Sequence, residues 1–299
     1  MTTPQDVRIP SHGEQLAAYV YRPQSTDLDL PCIVMAHGFS ATRDDGLPAY
    51  AEAFRDAGYV VVLFDYRHFG ASTGEPRQLL DIGRQHEDYR TVIAWARRLD
   101  GIDPDRIVLW GSSFSGGHVL AVAAQDPRFA AVISQAPFTD SVPALREVPL
   151  RTAAALTLAG LRDQLDAWRG RPPRLVPVVG TPGTVAAMTS PGADAGFKAI
   201  VGPDSLWHNT FAARLMLRFP FYRPGRKTSE IRMPLLVCVC ETDTTTPPGS
   251  TIKAAHRAPR GELRRYPYDH FDIYHDPRVK ADQIDFLRRA VPAVLSDHA

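Results

Sequence analysis

The sequence predicts an α/β fold: a mostly parallel, doubly wound sheet with a mainly helical insertion ahead of its penultimate strand. Three observations predict it. Apolar runs at residues 31–36, 59–64, 107–110, 129–135 and 235–240 are short and nearly unbroken, as in strands covered on both faces. Segments of helical spacing separate the first four, and such strand–helix–strand repeats close through right-handed crossovers into a parallel sheet. The alternation fails from about residue 138 and resumes only near residue 233. A chain of 299 residues accommodates one such domain with a long insertion. The expected division is a core of residues 1–137 and 233–299 and a cap of residues 138–232.

Taken in order, residues 7–10 and 16–21 flank the turn-like Ser11-His12-Gly13-Glu14 and predict an opening antiparallel hairpin. Residues 31–36 form a buried strand that runs into His37-Gly38-Phe39-Ser40. Helical spacing over 47–57 stops at Gly58, and the strand at 59–64 leads into the glycine-containing loop Asp65 to Gly74. Residues 81–99 form a helix with Ile82, Tyr89, Val92 and Ile93 facing inward, ended by Asp103-Pro104-Asp105. The strand at 107–110 meets Gly111-Ser112-Ser113-Phe114-Ser115-Gly116-Gly117 and a helix follows at 119–124. Within the insertion, residues 145–165 and 204–219 carry helical spacing, and 171–191 are rich in proline and glycine. The insertion's Trp168, Met188, Trp207 and Phe211 are expected on an apolar pocket wall. A helix over 250–258, a strand over 262–266 and a closing helix over 279–295 complete the chain.

Composition excludes several classes. With 34 basic and 33 acidic residues the formal charge is +1, which leaves no footprint for nucleic acid or an anionic membrane. The three cysteines fall in strand runs, where Cys238 and Cys240 share a face, so reduced core thiols are expected and no metal site. Residues 1–10 lack the basic and apolar stretches of a leader, and no apolar run reaches the ~18 residues of a membrane span. A cytoplasmic protein is expected, with a homodimer as the assembly considered.

The chemistry concentrates where ligands bind in such sheets, at the carboxyl ends of the strands. A serine at a sharp strand-to-helix corner lifts its hydroxyl clear of the sheet. Two registers compete here: Gly111-Ser112-Ser113-Phe114-Ser115 keeps the first glycine of G-x-S-x-G, and Ser113-Phe114-Ser115-Gly116-Gly117 keeps the last. Ser113 is favoured because Gly111 ends the strand directly. A serine needs a base, and the base needs a carboxylate that fixes its tautomer. His270 and Asp243 each follow a late strand at the same edge. Glu241, Asp269, Asp272 and Asp140 compete for the acid, while the other nine histidines fall in helices, tails, the insertion or loops before the nucleophile strand. The oxyanion hole is expected to combine the N–H groups of Phe39 and Phe114.

His37-Gly38-Phe39, the loop Asp65 to Ser72, the elbow at Ser113, Asp243 with Pro247, and Asp269-His270-Phe271 together resemble the α/β-hydrolase superfamily. The order over residues 31–295 is that of the superfamily. More narrowly, Trp207-His208-Asn209 and Tyr222-Arg223-Pro224 make the chain similar to capped microbial hydrolases and polyketide-processing acyltransferases. The resemblance implies a serine-dependent reaction through an acyl-enzyme, without metal or cofactor, on a small-molecule ester or thioester with an apolar acyl or aromatic part. Acyl transfer and carbon–carbon bond hydrolysis use the same residues, and a non-catalytic small-ligand binder on this fold is the alternative of another class. Ser115 departs from the glycine of the family pattern.

Overall fold

The structure is a computed structural model that describes residues 3–24 and 29–293. Gln5–Ser11 (β1) and Glu14–Tyr21 (β2) pair antiparallel, and His12 and Gly13, both at positive φ, make the two-residue turn. Leu30–Ala36 (β3), Val60–Phe64 (β4) and Ala131–Gln135 (β6) are buried at every position. Ile102–Ser112 (β5) is buried from Ile107 onward. It begins before Asp103-Pro104-Asp105, which the sequence marked as a break and which the strand accommodates as an irregularity in its pairing with β3. Leu175–Val176 (β7) and Phe211–Ala212 (β8) form a separate two-stranded ladder, and Leu235–Cys240 (β9) and Gly261–Tyr266 (β10) return to the main sheet. The eight-stranded order is β1-β2-β4-β3-β5-β6-β9-β10. Within this sheet only β2 pairs antiparallel with its neighbours; β4, β3, β5, β6, β9 and β10 run parallel, so the carboxyl ends of β3, β5, β6 and β9 share one edge.

Pro48–Asp56 (α1) follows β3, and Ile82–Ala96 (α2) is capped by Asp81, whose carboxylate accepts from the Arg84 N–H. Phe114–Ala123 (α3) is buried on all sides, which explains its lack of a polar face. Between β6 and β9 the chain departs from expectation. The single helix expected over 145–165 is two, Ser141–Arg146 (α4) and Leu150–Trp168 (α5), separated at Pro149, which has no N–H to continue the ladder. Ala193–Ile200 (α6), too short to stand out as a period, was not expected. The helix expected over 204–219 does not form. Asn209 Oδ1 accepts from the Val178 and Val179 N–H groups, Phe211 and Ala212 pair with β7, and Ala213–Leu217 is a 3-10 turn. Pro248–Arg257 (α7) and Pro277–Ala290 (α8) complete the chain; α8 stops short of Pro292, and Leu295 of the expected helix lies outside the described residues. The three cysteines are buried and unpaired. No helix among the described residues is long and apolar enough to cross a membrane.

Asp163 fastens α5 to the residue before β7 and to the turn after β8. Buried Asp163 accepts from the backbone N–H groups of Arg174 (2.7 Å) and Arg214 (2.8 Å) and from the Arg214 guanidinium (2.8 and 3.0 Å). Removing it leaves these donors facing each other with little access to water. Asp163→Ala is expected to lower stability by about 3–5 kcal/mol, read as a shift of the urea midpoint.

Candidate active site

The elbow between β5 and α3 exists because the backbone is crowded there. A Cβ on Gly111 would lie 2.3 Å from the Ser115 carbonyl oxygen, and one on Gly117 would lie 2.3 Å from that of Phe138. Ser113 itself sits at φ 57°, ψ −120°, a strained conformation for a residue with a side chain. Its N–H donates to Gln135 O (2.9 Å) and its carbonyl accepts from the Phe138 N–H (2.8 Å), so the end of β6 holds the corner. Gly38, at the end of β3, lies so near that a Cβ would come 3.0 Å from the Ser113 Cβ.

The structure brings Ser113, His270 and Asp243 together. His270 Nε2 is 2.9 Å from Ser113 Oγ, and His270 Nδ1 is 2.7 Å from Asp243 Oδ2. A carboxylate only accepts, so Nδ1–H donates to Asp243 and Nε2 is left to accept from the serine hydroxyl. Asp243 is held in turn by the Thr245 N–H (2.8 Å), the Thr246 N–H (2.6 Å) and the Thr246 hydroxyl (2.7 Å). Thr246 was not singled out from the sequence; a hydroxyl three residues past an acid is too common a pattern to stand out.

The competing acids have other work. Asp140 caps α4 and pairs with Arg223 (2.7 Å), Glu241 pairs with Arg265 (3.5 Å), and Asp272 accepts from the Asp269 N–H (3.1 Å). Asp269 accepts from the backbone N–H groups of His270 (2.8 Å) and Thr244 (3.1 Å), which joins the two loops. Ser115 is fully buried, its Oγ 2.7 Å from Tyr66 OH and 2.9 Å from Tyr89 OH. It therefore lies under the elbow, and His270 meets Ser113.

Phe39 and Phe114 border the cavity beside Ser113, their rings edge to face at 5.3 Å. Phe114 is the first residue of α3, whose N–H has no intrahelical acceptor. The loop from Asp65 supports this region from behind. Asp65 accepts from the Arg43 N–H (2.7 Å) and the Ala71 N–H (3.0 Å), and a Cβ on Gly70 would lie 2.3 Å from its Oδ2. Burial pushes the Asp65 carboxyl up to about 7 and the neighbouring His37 imidazole down to about 4.

Ser113 opens onto a cavity of about 420 Å³. Phe138, Leu145, Leu156, Met188 and Phe219 give it an apolar wall, and Ser190, Thr244 and Thr245 a polar margin near the triad-like cluster. Of the four expected wall residues only Met188 lines it. Trp168 projects from the end of α5 into solvent. Trp207 and Phe211 were placed by a helix that does not form: Trp207 stacks on Phe197 at 4.8 Å, and Phe211 is buried behind Phe39, ring to ring at 5.0 Å.

Residues 12–177 match the family described as X-Pro dipeptidyl-peptidase (S15 family). The chain belongs to this family and is an α/β-hydrolase. It is 47% identical over 293 residues to the quorum-quenching protein AidA of Acinetobacter baumannii, spanning 97% of this chain and 96% of that one. It is 37% identical over 178 residues to the thiohydrolase aneE of Aspergillus aculeatus, 58% of this chain and 52% of the relative. The crystal structure of the α/β hydrolase GrgF from Penicillium superposes with a TM-score of 0.83 at 24% identity, covering 97% and 99% of the two chains, a likeness of fold.

Two expectations follow from the buried groups beneath this hydrolase's elbow. Ser115→Ala leaves the Tyr66 and Tyr89 hydroxyls without their shared partner, and is expected to cost about 1–3 kcal/mol in urea unfolding. His118, with Nδ1 2.6 Å from Tyr222 OH and Nε2 2.8 Å from Gln85 Oε1, is held by burial well below the ordinary imidazole range. As pH falls, the unfolded chain binds a proton that the folded chain refuses, so stability is full above the unfolded value and is lost below it. His118→Gln is expected to flatten the fall in Tm between about pH 7 and about pH 5. His37, His68 and His86, pushed down to about 4 by burial, retain part of the slope.

Proposed function

We propose that the protein is a serine hydrolase that cleaves an ester or thioester with an apolar acyl part. The observation that carries this reading is the unbroken hydrogen-bonded line from Asp243 through His270 to Ser113, ending at the floor of a largely apolar cavity. Ser113 Oγ attacks the acyl carbon while its proton passes to His270 Nε2. The carbonyl oxygen gains negative charge, which the N–H groups of Phe39 and Phe114 stabilise. The tetrahedral species collapses, the bond from acyl carbon to oxygen or sulfur breaks, and His270 returns its proton to the departing alcohol or thiol. Water then attacks the acyl-Ser113 ester with His270 again as base, releasing the acid. Asp243 keeps the imidazole oriented and stabilises its charged form.

The segment 138–232 acts as a cap in this reading. Its α4 and α5 supply Leu145 and Leu156 to the wall, where an acyl group is shielded from water. The AidA relative, aligned end to end, makes a diffusible signal bearing an acyl ester the first substrate class to test. The thiohydrolase relative supports a thioester as the second.

The test is intact mass after treatment with a fluorophosphonate, run on wild type, Ser113→Ala and Ser115→Ala. A single adduct on wild type and Ser115→Ala, and none on Ser113→Ala, is the expected result. Ser113→Ala is also expected to lose roughly 10⁴-fold or more in kcat on whichever acyl ester of a chain-length panel is turned over best. Wild type that takes no adduct, or Ser113→Ala that retains its turnover, overturns the proposal.

A further inference from the structure

The outer face of α5 is apolar where a soluble surface is ordinarily charged. Leu150, Ala154, Leu158, Leu161, Leu165 and Trp168 are all exposed, Leu150 by 84% and Trp168 by 75%. At 100° per residue the six fall within an arc of roughly 80°, so they form one continuous stripe along the helix. Arg151, Arg162 and Arg169 line one flank of that stripe, exposed and without an ion pair among the described residues. Of the two carboxylates of α5, Asp163 lies opposite the stripe against Arg214, and Asp166, beyond the arginine flank, is buried against Arg171 and Arg174. Apolar surface of this extent marks a site of contact.

We infer that this face docks on a lipid bilayer carrying anionic headgroups. Leucines with a terminal tryptophan on one side and arginines along the border are the composition of a helix lying in a membrane interface. Charge gives a second copy of the chain no counterpart: a twofold axis perpendicular to α5 brings arginine to arginine, and one along α5 sets the arginines against the uncharged flank of Ala153 and Thr157. An anionic surface meets all three arginines favourably, with Glu147 at the rim as the opposing charge. The near-even charge of the whole chain conceals this local arrangement.

The cavity opens beside this face. Pro149, Ala153, Leu156 and Thr157 line it from α5 and the turn before it, and Pro220 lines it next to Phe221, which is 82% exposed. A docked molecule thus presents its cavity to the acyl-chain boundary, and an apolar acyl substrate partitions directly from lipid into it. That consequence rests on the hydrolase reading; the docking does not.

The experiment is flotation of the full chain with vesicles of phosphatidylcholine alone or mixed with phosphatidylglycerol. Wild type and Ser113→Ala are expected to float equally with the mixed vesicles and to be released by added salt. Leu158→Glu/Leu161→Glu and Arg151→Gln/Arg162→Gln/Arg169→Gln are each expected to reduce the bound fraction roughly tenfold or more. None of these side chains lines the cavity, so turnover of a short water-soluble ester stays at the wild-type rate and reports that the variants are folded. If no form hydrolyses any ester, the hydrolase reading falls while the flotation result stands. The docking inference is overturned if wild type does not float, or floats equally with phosphatidylcholine alone. It is also overturned if light scattering shows a dimer that Leu158→Glu/Leu161→Glu makes monomeric.

Discussion

The backbone corner at Ser113 is the constraint on which the rest of the site depends. A side-chain-bearing residue at φ 57° survives only where its surroundings over-determine it. Here the Gln135 carbonyl at the end of β6 and the Phe138 N–H just beyond it grip the corner, and Gly38, Gly111 and Gly117 clear the space it needs. Each glycine stands where a Cβ would strike backbone or the nucleophile itself. The parallel sheet makes this possible, since only adjacent parallel strands deliver β3, β5 and β6 to one edge with their loops in contact. Chemistry and fold are in this sense one arrangement: the strain that lifts the hydroxyl is balanced by strand pairing some distance below it.

Much of the site was legible because each piece is local. The apolar runs named their strands, and a serine after Gly111, an acid after β9 and a histidine after β10 are short-range features that a parallel sheet brings together without further information. Ser115 was ambiguous for a physical reason. Its role depends on Tyr66 and Tyr89, two hydroxyls 49 and 26 residues away in the chain, and no local pattern encodes such a contact. Tyr89 was read correctly as an inward residue of α2, but its inwardness gave no hint that its hydroxyl would find a serine.

The segment between β6 and β9 was read less well. Residues 204–219 have helical spacing, yet Asn209 binds the backbone of Val178 and Val179 and turns the chain into a short ladder. Side-chain to backbone bonds of this kind outcompete a weak helical preference. The consequence reached the pocket, because Trp207 and Phe211 had been placed by the helix. α5 illustrates the converse. Its helical nature is evident in the sequence, but the spacing does not tell one leucine from another, and only the structure separates Leu156, which lines the cavity, from those that face outward.

The outermost strands bear on how molecules of this protein meet one another. β1 carries Arg8 and Pro10, and β10 carries Glu262, Arg264 and Arg265, with Arg289 of α8 closing onto Glu262 at 2.9 Å. A strand edge so furnished is a poor template for another chain, since proline offers no donor and each added pairing would bury a charge. The sheet is thereby sealed at both margins against growth from molecule to molecule. Crowded chains are kept from the cross-strand stacking that precedes fibrils, even though the interior of the same sheet is among the most apolar sequence in the protein.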